Sequence, residues 1–144
     1  MKVTAIKKLV LDASVSAAWC FPDETTHLTE ELLDRFATGL EAVVPSIWPF
    51  EIANALLQAE RRKRITRAQA AAELHQLMSL PIAVEPVQTA RAFGMVLSLA
   101  RDQNLTEYDA AYLELAIRES LPLATLDNGL RNAARDLGVV LVTG

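Results

Sequence analysis

The chain has 144 residues, 51% of them apolar and 22% charged, with a net charge of −4 at pH 7. That is enough material for one domain with a sizeable core, so a disordered chain is excluded. The negative balance excludes a protein that grips nucleic acid through overall positive charge.

A single domain over residues 1–144 is expected. The lone cysteine, Cys20, cannot close an intramolecular disulfide, which fits a reducing compartment. No uncharged apolar stretch reaches the roughly 18 residues a membrane helix needs, so a cytoplasmic location with no membrane partner is expected. Lys2, Lys7 and Lys8 precede an apolar run as in a signal peptide, but Asp12 interrupts it too early.

That run, Leu9-Val10-Leu11, is apolar at every position, which predicts a strand buried on both faces with Asp12 at its carboxyl end. Ser14 to Cys20 reads as a short helix, and Asp12 either caps it or forms the first wall of a site. Pro22 to Thr25 is a turn and helix start. Leu28, Leu32, Leu33 and Phe36 follow at helical spacing, with Gly39 as the stop. Ala42 to Val44 is a second strand. Ser46 is placed to cap a helix over residues 47–62, with Pro49 tolerated in its first turn. Glu51, Asn54, Ala55 and Gln58 share one face of that helix. Arg61 to Arg64, the basic cluster, falls at the helix end, where cations are expected in any case; an RNA- or partner-facing role is the alternative.

After a helix over 66–79, Ile82 to Val87 is a third strand, and Pro86 assigns it to an edge. A helix over 88–103 carries Phe93, Val96, Leu97 and Ala100 as its buried stripe. Another helix opens at Leu105-Thr106-Glu107-Tyr108-Asp109 and continues to Glu119. Leu121 to Asp127 is a strand that again ends in aspartate. A short helix over 128–137 and a last strand, Val139 to Val142, complete the chain. Strands alternating with helices imply right-handed crossovers. The expected fold is a three-layer α/β/α sandwich around a mostly parallel five-stranded sheet.

Four acids stand apart by position: Asp12, Glu51, Asp109 and Asp127. In a parallel sheet all of them reach the same rim. Capping accounts for each singly; Thr106 and Asp109, for example, have nearly capping-box spacing. It does not account for apolar segments delivering acids to one rim repeatedly. Carboxylates so gathered repel unless they protonate or a cation enters. Oxygen ligands without His or Cys suit Mg²⁺ or Mn²⁺, and metal-assisted phosphodiester hydrolysis is the chemistry that follows. No Gly-rich phosphate loop or nucleophile elbow competes.

Leu-Asp12-Ala-Ser14, Glu51-Ile-Ala-Asn54, Thr106-Glu-Tyr108-Asp109-Ala-Ala-Tyr112 and Thr125-Leu-Asp127, in that order, resemble a PIN-domain protein. Within that group the chain most resembles the VapC-type toxin ribonucleases of type II toxin–antitoxin systems. The resemblance implies a Mg²⁺- or Mn²⁺-dependent endoribonuclease, an RNA substrate, a cognate antitoxin protein and a homodimer. Asp12, Glu51, Asp109 and Asp127 match the acidic quartet, with Asp12, Asp109 and Asp127 as its metal-holding members. Ser14, Asn54, Thr106 and Thr125 match supporting polar positions. Leu28, Leu32 and Phe36 are candidate contributors to the dimer face. The expected products carry 5′-phosphate and 3′-hydroxyl ends, because the motifs contain no His or Lys acid–base pair to recruit the 2′-hydroxyl. The competing reading is a PIN-like protein-interaction module whose acids are only caps. A phosphorelay receiver is excluded: Ala13 follows Asp12, and no Lys lies beyond Lys63.

Overall fold

The computed structural model describes residues 1–144. Its strands are β1 (Lys8–Leu11), β2 (Glu41–Val44), β3 (Ile82–Val84) and β4 (Leu123–Ala124), all parallel, in the spatial order β3-β2-β1-β4. β1 lies inside the sheet, and Leu9, Val10 and Leu11 are all fully buried, as helices on both faces require. Helices α1 (Ala13–Trp19), α2 (His27–Phe36), α3 (Trp48–Arg61) and α4 (Arg67–Met78) form one group, with α1 packed on both α2 and α3, and α3 on α4. The second group is α5 (Thr89–Arg91), a π-helical segment (Ala92–Val96), α6 (Leu97–Gln103), α7 (Glu107–Glu119) and α8 (Asn128–Asp136), with α7 against β1 and β4. The architecture is the expected α/β/α arrangement.

The sheet has four strands, not five. β4 is only two residues long, so it offers the next segment little to pair with. The expected strand at Val139 to Val142 is reduced to isolated bridges, Leu123 with Leu141 and Lys2 with Thr143. β3 is the edge strand that Pro86 foretells, though it stops at Val84.

Local chemistry explains the other departures. Ser46 does not cap α3. Residue Ile47 holds the cap position in a helical conformation, φ −74° and ψ −22°, whereas a side-chain cap needs an extended backbone there. Pro49 lacks an N–H, so the first turn has one donor fewer to satisfy. α2 starts later than expected, at His27, because Thr26 and Thr29 form a reciprocal capping box. Phe93 is not part of a buried stripe: it is 75% exposed. The wider π turn over Ala92–Val96 shifts the phase of the residues before α6.

Leu32 and Phe36 are buried in the core and cannot form an exposed dimer face. The large exposed apolar side chains are instead Phe50, Met78, Val87, Phe93, Met95 and Tyr108, among others. Arg64 from the basic cluster is spent structurally: it bonds Asp23 at 3.3 Å and lies 4.6 Å from the centre of the Phe21 ring. Cys20 is buried, and burial pushes its thiol up to about 11, far from a reactive thiolate at neutral pH.

Candidate active site

β1 and β4 are neighbours with Leu11 opposite Ala124, so the residues that follow them, Asp12 and Thr125, meet at the carboxyl rim. Asp12 occupies the cap position of α1 in an extended conformation, yet its side chain makes no cap bond. Its Oδ2 accepts two hydroxyls instead, Ser14 Oγ at 2.6 Å and Thr125 Oγ1 at 2.7 Å. Both hydroxyls are fixed from behind: Ser14 Oγ accepts from the Leu126 amide at 2.9 Å, and Thr125 Oγ1 from the Asp127 amide at 3.0 Å. A donor that also accepts from rigid backbone cannot rotate freely, so the Asp12 carboxylate is held in one orientation. Burial raises the Asp12 carboxyl above the ordinary range, the Ser14 and Thr125 hydroxyls and the Ala13 amide oppose that, and the charge of Asp127 adds to it.

The other acids arrive from separate elements. Glu51 lies in the first turn of α3, and its Oε1 accepts from the hydroxyl of Tyr112 at 2.6 Å. Partial burial raises Glu51, the Tyr112 hydroxyl lowers it, and the charges of Asp12 and Asp109 raise it again. Asp109 lies in the first turn of α7, where Thr106 caps the helix by accepting from the Asp109 amide at 3.1 Å. Burial raises Asp109 first, then the charges of Asp12 and Asp127. The charge of Asp12 therefore reaches Glu51 and Asp109, that of Asp109 reaches Glu51, and that of Asp127 reaches Asp12 and Asp109. Asp127 is exposed and does cap its helix: its Oδ1 accepts from the Leu130 amide at 2.8 Å. Asn54 is exposed and its amide oxygen accepts from Gln58, with no bond to a quartet acid.

Tyr112 stands in the sequence motif but was given no role there. It is fully buried, three residues after Asp109 on α7, and fixes Glu51 from another element. Its sequence signal was its place in that motif, an aromatic with a polar tip one turn behind an acid. Tyr112→Phe should lower thermal stability by about 1–2 kcal/mol, because a hydrogen bond to a charged partner is lost with little change of shape. A melting curve superimposable on that of the unaltered protein would show that this bond contributes nothing.

The donor set fits a hard divalent cation. Both hydroxyls converge on Oδ2 of Asp12 and the Leu130 amide bonds Oδ1 of Asp127, so each carboxylate has a second oxygen outside these bonds. As they stand, no three His, Cys, Asp or Glu side chains form a group that could hold an ion by themselves. The two facts agree physically. Charge–charge coupling reaches much farther than a metal–oxygen bond, and Mg²⁺ keeps several waters when one or two carboxylates bind it.

Comparison with known proteins follows the same line. The PIN domain family matches residues 9–136. The chain belongs to the PIN-domain family. It is 31% identical to Ribonuclease VapC3 of Pyrobaculum aerophilum over 123 residues, 85% of this chain and 92% of the relative. The crystal structure of PAE2754 from Pyrobaculum aerophilum superposes with a TM-score of 0.70 at 23% identity, covering 96% of this chain and 84% of the other. That of FitAcB from Neisseria gonorrhoeae gives 0.62 at 17% identity, covering 94% and 96%. These two likenesses establish the fold of this PIN domain.

Proposed function

We propose that this PIN domain is a Mg²⁺- or Mn²⁺-dependent endoribonuclease, the toxin of a toxin–antitoxin pair, working as one domain in the cytoplasm. The observation that carries the reading is Asp12. It is a buried carboxylate in a capping position that does not cap, oriented by two hydroxyls and faced by three further acids. A purely structural aspartate would satisfy its helix; this one is held for something outside it. The similarity to Ribonuclease VapC3 supports RNA as the substrate.

Asp12, Asp109 and Asp127 would hold the cation, one or two of them directly and the rest through its waters. When bound, the ion supplies Lewis acidity, making hydroxide available near neutral pH and neutralising charge on the phosphoryl oxygens. Ser14 and Thr125 orient the Asp12 carboxylate. Tyr112 holds Glu51 Oε1, which leaves Oε2 to take a proton from the attacking water, a task that suits a carboxyl raised by burial and neighbouring charge. An antitoxin would cover the rim with an amphipathic segment and bring an arginine to the acids. A homodimer would use exposed apolar side chains, not the α2 core residues.

Purified protein incubated with total RNA should yield discrete fragments in millimolar Mg²⁺ or Mn²⁺ and none in EDTA. RNA left intact with either cation, or cut equally well in EDTA, would contradict the reading.

A further inference from the structure

The same rim of the sheet carries a cavity that the proposed chemistry does not use. It measures about 220 Å³ and lies among the residues that follow β2 and β3, the π segment and α7. Pro45, Val87 and Leu115 give it apolar walls. Its arginines are already paired: Arg91 and Arg118 each reach Glu85 at 2.7 Å, and Arg118 reaches the buried Glu114 at 2.8 Å. Glu107 is the exception. It lines the cavity, and its Oε1 is buried with no hydrogen-bond partner. A buried carboxylate oxygen without a donor is costly, and few native groups are left so. The next residue, Tyr108, also lines the cavity and is 59% exposed, an aromatic face open to solvent beside an acid that lacks a donor. The π turn, a rare form found often at functional sites, contributes Ala92 and Val96 to the lining.

We propose that this cavity takes an unpaired guanine of the RNA, from the nucleotide beside the scissile phosphate, with Glu107 reading the base edge and Tyr108 stacking on its face. The inference rests on the ribonuclease reading and adds the base. Guanine places two N–H donors side by side, N1–H and the N2 amine, to match the two oxygens of one carboxylate once the Glu107 side chain rotates to turn its buried Oε1 into the cavity. Uracil flanks its donor with carbonyl oxygens, and adenine and cytosine set a ring acceptor beside their amine. The lining holds three carboxylates against two guanidiniums, which disfavours a phosphate. The position also suits a base. Asp12 follows β1, Pro45 follows β2 and Glu85 follows β3, in adjacent order along the rim. Strands lie about 4.8 Å apart, so the cavity is on the order of 5–10 Å from Asp12, the reach of one nucleotide. A base in a duplex hides this edge, so the nucleotide must be unpaired.

The test uses short unstructured RNAs that differ at one position. With Mn²⁺, replacing the guanine beside the cleaved bond should lower kcat/KM by about tenfold to a hundredfold. Glu107→Gln should erase that preference, raising KM on the guanine substrate more than it lowers kcat. Tyr108→Ala should weaken all four bases alike, and Tyr108→Phe should restore them. Fluorescence anisotropy of the same RNAs with the full chain in EDTA reads base preference without cleavage, and melting curves of the variants confirm that they fold. Robust cleavage and binding indifferent to the base would overturn the proposal and leave the ribonuclease reading intact. Guanine-selective binding with no cleavage would uphold the cavity and defeat the nuclease. Base-indifferent cleavage inhibited by an arginine-bearing peptide, with relief in Glu107→Gln, would assign the cavity to a protein and overturn the proposal.

Discussion

Asp12→Asn is expected to lower the rate of RNA cleavage by on the order of 10²-fold or more while raising the melting temperature of the metal-free protein. Loss of rate follows from loss of a fixed charge at the place where the cation would be held. The gain in stability follows from the direction of the carboxyl shifts. Asp12, Glu51 and Asp109 all sit above their ordinary values of 3.8, 4.5 and 3.8, with burial as the first cause. A carboxyl raised by folding favours the folded state fully below its unfolded value. That contribution is lost as the pH climbs through the raised, folded value. Without metal, the protein should therefore melt higher just below those ordinary values than at neutral pH, insofar as these three groups govern it. Asp12→Asn should narrow the gap and keep its shape, since the amide oxygen still accepts from Ser14 and Thr125. Mn²⁺ should raise the melting temperature of the unaltered protein by mass action and that of Asp12→Asn far less. A variant that melts lower in EDTA, or still cleaves at full rate, would show that Asp12 is a structural residue.

Thr125→Val should destabilise the fold by about 2–4 kcal/mol and reduce cleavage with it. Thr125 is fully buried, and its hydroxyl makes two bonds at once, to Asp12 Oδ2 and from the Asp127 amide. Valine has nearly the same shape but leaves a buried carboxylate short of a donor and an amide short of an acceptor, each costing about 1–3 kcal/mol. Thr125→Ser should recover most of both. Because the hydroxyl joins β1 to β4 at the rim, the loss should be larger than for Ser14→Ala, whose side chain is only partly buried. Equal stability of Thr125→Val and the unaltered protein, measured by urea denaturation, would remove the relay from the account.

Legibility in the sequence tracked the range of the forces involved. β1 could be read because three consecutive apolar residues admit little except a doubly buried strand. The edge position of β3 could be read from Pro86, since a missing N–H acts locally. Thr106 capping α7 is a four-residue event and was equally plain. Non-local matters were less so. The fifth strand failed because pairing depends on the length of β4, not on the composition of Val139 to Val142. The exposure of Phe93 depends on a π turn that its own residues do not announce. Leu32 and Phe36 went inward because α1 and the short 3-10 turn over Val3–Ala5 pack on α2, which an amphipathic pattern alone cannot report. In the candidate site, the order of the acids was legible, but the partners were not. Nothing local ties Tyr112 to Glu51 across 61 positions, or distinguishes Asp12, which does not cap, from Asp127, which does.

The central claim is that these carboxylates act through a bound hard cation to hydrolyse RNA without the 2′-hydroxyl as nucleophile. End-group analysis of fragments made by the purified protein in Mn²⁺ tests it most directly. The account predicts 5′-phosphate and 3′-hydroxyl ends, formed only when the cation is present. Fragments ending in 2′,3′-cyclic phosphate, or the same fragments formed in EDTA, would contradict it.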